Sequence, residues 1–146
     1  MDTQTHEVNI DWIPDSGVQL RKAGVQFDAV RIEGDAGRRV AELLEELTGG
    51  DPGPIVAEVR GVRSVYFLVG AGSTAYRAWP DGVTVLNSGP NKVSFIPVPA
   101  LNGGTWPLEW WCPPSSAGRR VHLGLLAGAA DAVLGRTSEE SGPSLE

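Results

Sequence analysis

The succession of elements readable in the chain predicts an α+β fold, a mostly antiparallel sheet of roughly five to seven strands with helices packed on one face. Three observations carry that expectation. A β-compatible run leads directly into an amphipathic helical repeat, two pairs of short apolar runs follow with turn formers between them, and a second helical repeat lies near the C-terminal end. The chain has 146 residues, which suits one domain, and its 19 glycines and 11 prolines imply many turns.

Among the first sixteen residues, Val8, Ile10, Trp12 and Ile13 suit a short edge strand that Pro14 interrupts. Val25–Ile32 reads as a strand ending at Gly34. Its apolar residues fall on both faces, as expected of a central strand covered by a helix. Asp35 is placed to cap a helix over Ala36–Leu47, in which Ala36, Val40, Leu43, Leu44 and Leu47 form one stripe, and Gly49-Gly50 stops it. Pro54–Arg60 and Arg63–Val69, separated by Gly61-Val62, read as a hairpin. Val83–Leu86 and Lys92–Val98 flank the turn formers Asn87 to Asn91 and read as a second, closed by Pro97 and Pro99. A Trp-rich loop follows. The last helix is expected over Ser116–Leu134, capped by Ser115 or Ser116, with Val121, Leu125, Ala129, Ala132 and Val133 on one side and Gly135 as its stop. Residues 1–135 thus make one domain. Residues 136–146 are read as a flexible acidic tail, whose single apolar residue, Leu145, cannot offset the entropy of ordering it.

Charge and cysteine usage narrow the setting. The formal net charge of −6 gives no bulk electrostatic grip on a phosphate backbone. The lone Cys112 forms neither an internal disulfide nor a Cys-rich zinc site. With no signal-peptide pattern at the start and no run of ~20 apolar residues, the expected location is the cytoplasm, without membrane contact. Ten of the twelve basic residues are Arg, a bias that points to a GC-rich bacterial genome.

The segment from Gln26 to Leu44 resembles the strand-to-helix unit of actinobacterial proteins of the bifunctional DNA primase/polymerase (Prim-Pol) type. Ser64-Val65-Tyr66-Phe67-Leu68-Val69 is similar to the family's strand with a His before an aromatic pair. Gly82 to Gly89 is similar to its acid-bearing strand and turn, and Val93 to Pro99 followed by Trp106 to Pro114 is similar to its closing strand and Trp/Pro-rich exit. The match spans residues 24–134. For an active member the resemblance implies nucleotidyl transfer in which paired carboxylates hold two divalent ions. On that pattern the acid-x-acid pair falls on Arg31 and Glu33, the His on Ser64 and the third acid on Thr84. The resemblance therefore implies a catalytically inactive relative acting as a binding or regulatory module for a protein partner, a nucleotide or nucleic acid, with no cofactor. The alternative is a metal-dependent nucleotidyl-processing enzyme holding Mg or Mn on Glu33, Asp35 and Asp81.

Each candidate residue also has a plain structural reading. Glu33 and Asp35 suit a helix start through the macrodipole alone. Arg31, Arg38, Arg39 and Arg63, with Ser64 and Thr84, could line a ligand-binding anion pocket, or the Arg residues could be solvated; Arg77 and Lys92 are further candidates. Trp106, Trp110 and Trp111 offer a partner-docking or base-stacking surface, or else cover a sheet end. Asp28 is expected to point away from Glu33, to the other sheet face. His6 and His122 lack a catalytic arrangement, Cys112 reads as a buried structural thiol, and Gly70 to Thr74 as a plain turn.

Overall fold

β-Branched and aromatic residues concentrate in Phe27–Ile32 and Val65–Gly70, and these two segments pair at the centre of the main sheet. The computed structural model describes residues 10–75 and 77–135. In chain order the elements are β1 (Val18–Lys22), β2 (Phe27–Ile32), α1 (Gly34–Thr48), β3 (Ile55–Glu58), β4 (Val65–Gly70), β5 (Val83–Leu86), β6 (Phe95–Pro99), β7 (Leu108–Cys112) and α2 (Leu123–Ala130), which continues into a π-helical turn at Asp131–Gly135. The expected α+β class holds. Among the described residues every strand pairing is antiparallel.

The main sheet has the order β5-β2-β4-β3-β7, and β1 pairs with β6 in a separate two-stranded ribbon. β2 and β3 are joined through α1 with β4 inserted between them, which is a split β-α-β unit. Alternation sends Val30, Ile32, Val65, Phe67 and Val69 to one face, where Val40, Ala41 and Leu44 of α1 and Leu126, Ala129 and Ala130 of α2 close an apolar core over them. On the opposite face Phe27, Ala29 and Leu68 are covered by Ile96 and Val98 of the ribbon and by Ile10 and Trp12. Both helices thus lie on one side and the ribbon on the other.

Several local expectations are corrected. The expected hairpin of Val83–Leu86 with Lys92–Val98 does not form: β5 pairs with β2, β6 pairs with β1, and only a Gly89–Lys92 bridge closes the turn between them. Burial decides this. Ile96 and Val98 are covered only when the strand crosses to the other layer. The Trp-rich loop is in part the strand β7, and Val18–Lys22 is a strand that its mixed polar pattern concealed. Ile10 and Trp12 are buried without forming an edge strand, and the strand expected from Val25 begins at Phe27. The N-terminal part of that expected edge strand, His6, and the tail 136–146 lie outside the described residues.

At the start of α1 the cap position is Glu33, not Asp35, which falls in the first turn. Gly34 is left-handed (φ 67°) and its N–H is taken by the Val62 carbonyl at 3.0 Å, and the helix begins two residues earlier than expected. Leu47, expected in the buried stripe, is 54% exposed. The last helix is much shorter than Ser116–Leu134. His122, not Ser115 or Ser116, caps it, its Nδ1 accepting from the Leu125 N–H at 3.1 Å. The preceding segment is held extended, with the Val121 N–H donating to the Leu68 carbonyl at 2.8 Å.

Candidate functional site

Strand register assembles one row of side chains on the sheet face away from the helices. Thr84 lies opposite Arg31, Arg31 opposite Tyr66, Tyr66 opposite Val56 and Val56 opposite Trp110. The ribbon covers the neighbouring Phe27, Ala29 and Leu68, leaving this row at the edge of the covered area. Glu33 and Ser64 lie just beyond it, at the strand ends. The fold therefore gathers Arg31, Glu33, Ser64 and Thr84 at one end of one face.

The chemistry there is that of an ion pair. Arg31 Nη2 donates to Glu33 Oε2 at 3.0 Å, while its Nε is buried with no partner among the described residues. Tyr66 is buried beside it. Burial, and then the negative charge of Glu58, push the phenol above its ordinary value, against the opposing pull of Arg31. The Ser64 N–H donates to Glu58 Oε1 at 2.9 Å, and the residue is buried. Thr84 is exposed.

The expected anion pocket is not assembled. Arg38 belongs to the helix side, where Nη2 donates to the Glu58 carbonyl at 3.0 Å and the guanidinium lies 5.7 Å from the Trp111 ring centroid. Arg39 and Arg63 are exposed on α1 and the β3–β4 turn respectively, Arg77 is exposed in the β4–β5 loop, and Lys92 Nζ donates to the Val85 carbonyl at 3.2 Å. Nor do Glu33, Asp35 and Asp81 converge: among the described residues no three His, Cys, Asp or Glu side chains gather into a group able to hold a metal ion. Two clefts border β1 instead, of about 350 Å³ beside Gln19 and Asp15 and about 280 Å³ beside Trp12 and Lys22, with Arg21 lining both.

The three indoles expected to act together separate. Trp110 Nε1 donates to the Pro99 carbonyl at 3.1 Å, and Trp111 Nε1 to Glu45 Oε2 at 3.2 Å, so both tie β7 to its neighbours. Trp106 is 68% exposed, with the Arg60 guanidinium 5.2 Å from its ring centroid. The Val59 N–H donates to the Pro107 carbonyl at 2.8 Å, which joins the β3–β4 turn to the entry of β7 and brings exposed Val59 and Val62 to the same end of the sheet.

No family model, curated protein or solved structure matches this chain. One group that the sequence did not single out emerges from geometry alone, and Asp28, expected only on the face away from Glu33, gains specific partners there. Arg60 becomes notable only once β3 and β7 are neighbours. Asp28 is fully buried on the helix face, and its Oδ2 accepts from Thr74 Oγ1 at 2.7 Å, while Asn87 Nδ2 donates to the same hydroxyl at 2.9 Å. A polar residue inside the apolar run Phe27–Ile32 was the available signal. The Gly70 to Thr74 turn is confirmed as a turn, with Thr74 as its anchor. Cys112 is half-buried rather than buried, and burial raises its thiol above the ordinary value. Among the described residues no helix is long and apolar enough to cross a membrane.

Proposed function

We propose that this chain is a non-catalytic binding module on a primase/polymerase-like scaffold, and that it engages a protein partner through the end of the main sheet that presents Trp106. The carrying observation is the exposed indole with Arg60 stacked over it. Trp and Arg dominate the energetic centres of interfaces, and a stacked pair is already ordered before a partner arrives. Val59 and Val62 extend the apolar area around it.

The non-catalytic half of the reading is supported by Arg31. Two-metal chemistry needs carboxylates converging on ions ~3.5–4 Å apart. Here a guanidinium occupies one of the positions that the resemblance assigns to an acid, and it engages the other, Glu33. A reducing cytoplasm suits the single Cys112.

The test uses the tagged full chain in extract of its host, comparing wild type with Trp106→Ala and Arg60→Glu by quantitative mass spectrometry. A specific partner lost roughly tenfold or more on both substitutions is expected. Equal capture by all three chains refutes the docking surface. If Arg31→Ala releases the bound species while Trp106→Ala does not, the contact is a nucleotide or nucleic acid at the Arg31 row instead. Incorporation of a deoxynucleotide in the presence of Mg²⁺ or Mn²⁺ refutes the non-catalytic reading.

A further inference from the structure

Among the described residues the outer edge of β1 in the β1–β6 ribbon is unpaired, and its hydrogen-bond alternation determines what that edge offers. The Gly17 carbonyl accepts from the Ala100 N–H at 2.8 Å, and the Ala23 N–H donates to the Ser94 carbonyl at 2.9 Å. Odd-numbered residues therefore face β6. Successive main-chain groups of an antiparallel strand point to opposite sides, so the N–H and C=O groups of Val18, Leu20 and Lys22 point outward. The register agrees, since Val18 and Leu20 lie opposite Pro99 and Pro97, which have no N–H to contribute. Those same prolines remove donors from the far edge of β6, and the Pro99 carbonyl is already taken by Trp110. Among the described residues β1 carries no proline and pairs only with β6.

The outward side chains of this ribbon are apolar where water would favour polar ones. Leu20 is 62% and Phe95 52% exposed, with Val18, Val25 and Val93 exposed around them. These are five of the eleven large apolar side chains found exposed among the described residues.

We propose that β1 pairs antiparallel with β1 of a second copy of this chain, about a two-fold axis at Leu20, to join two ribbons into one four-stranded sheet. The segment Val18-Gln19-Leu20-Arg21-Lys22 is self-complementary in that register. Leu20 meets Leu20, Val18 meets Lys22 and Gln19 meets Arg21, so no cation faces another. Three outward residues in each copy form three hydrogen-bonded pairs, or about six main-chain bonds. The outer edges of the resulting sheet are the proline-bearing edges of β6, so the assembly closes at two copies and does not propagate.

The test is sedimentation of the full chain from low micromolar to submillimolar concentration, with amide exchange at both limits. A reversible dimer is expected. Leu20→Lys, which sets like charges across the axis, weakens it roughly tenfold or more, and Leu47→Lys on exposed α1 leaves it unchanged. The amides of Val18, Leu20 and Lys22 gain protection as concentration rises, while those of Gln19 and Arg21 are protected throughout. A chain monomeric over the whole range, a dimer indifferent to Leu20→Lys, or a dimer in which the three outward amides still exchange freely overturns the proposal. If Leu20→Lys fails to fold, by circular dichroism, the wild-type amide pattern decides alone.

Discussion

Replacing Arg120 tests whether a single guanidinium ties Trp12 and the segment before α2 to the start of β2. Its Nε and Nη2 donate to the Gln26 carbonyl at 3.1 and 2.7 Å, and Nη1 donates to the Ala117 and Arg119 carbonyls, each at 2.8 Å. The same group lies 5.5 Å from the ring centroids of both Trp12 and Phe27. Burial lowers its affinity for a proton below the ordinary Arg value. Three carbonyls lose a charged donor in Arg120→Ala. Water reaches part of this site and replaces some of those bonds, which limits the loss to ~0.5–1 kcal/mol for each carbonyl. The two ring contacts add ~0.5–1 kcal/mol together, so the substitution costs about 2–4 kcal/mol. Arg120→Lys keeps the charge, but an ammonium cannot span three carbonyls as a planar fork does, and it recovers less than half of the loss. Urea unfolding at 25 °C with an unchanged m-value measures both. A Lys variant within about 0.5 kcal/mol of wild type refutes the fork as the tie, because charge over the rings would then suffice.

Three further outcomes follow from particular contacts. Gly37→Ala, which in most helices is favourable, is expected to cost more than about 2 kcal/mol in urea unfolding, because the added Cβ would lie 2.4 Å from the Ile32 carbonyl oxygen; a neutral result would mean that α1 shifts freely on the sheet. Thr74→Val removes the hydroxyl bonded to buried Asp28 and is expected to cost about 2–3 kcal/mol, with Thr74→Ser recovering most of it, by the same measurement. In alkali, folded Cys112 and Tyr66 keep their protons above the ordinary values of 9.0 and 10.0 at which the unfolded chain releases them. The folded state then binds more protons, so stability present below about pH 9 is lost as pH rises beyond it, first through Cys112 and then through Tyr66. Urea midpoints from pH 7 to 11 check this, and Cys112→Ala removes the earlier part of the decline.

The parts of the fold legible in the sequence are those whose pattern depends on near neighbours. The α1 stripe and the β3–β4 hairpin place their own burial at fixed spacing; the hairpin is found, and the stripe is found except at Leu47, with Val40 and Leu44 fully buried. Val83–Leu86 and Phe95–Pro99 looked like hairpin partners because short turns favour adjacent pairing. Their true partners are set by which layer needs Ile96 and Val98, a property of the whole fold. β7 was hidden because its two adjacent indoles break the expected alternation and serve opposite sides, Trp110 toward Pro99 and Trp111 toward Glu45. For the site, register places Arg31, Tyr66 and Thr84 in one row, but only tertiary contact brings Arg60 over Trp106. His122 shows a third limit: a ring nitrogen caps α2 where the two preceding serines carried the stronger sequence signal.

The two proposed surfaces belong to separate layers, and that separation has a measurable consequence. Trp106 stands at the end of the main sheet, where β3 and β7 meet, while Leu20 stands on the outer face of the ribbon. The ribbon buries Ile96 and Val98 against the sheet, so its outward row shares no side chain with the Trp106 end. Substitutions without shared partners add nearly independently, within ~0.3–0.5 kcal/mol. Trp106→Ala should therefore leave self-association within about twofold of wild type, and Leu20→Lys should leave partner capture equally unaffected. Sedimentation and quantitative capture on the two single variants and the double variant check this. If either substitution alters both readouts, β1 and the β3–β7 end form one continuous interface, and the second copy and the partner would then compete for it.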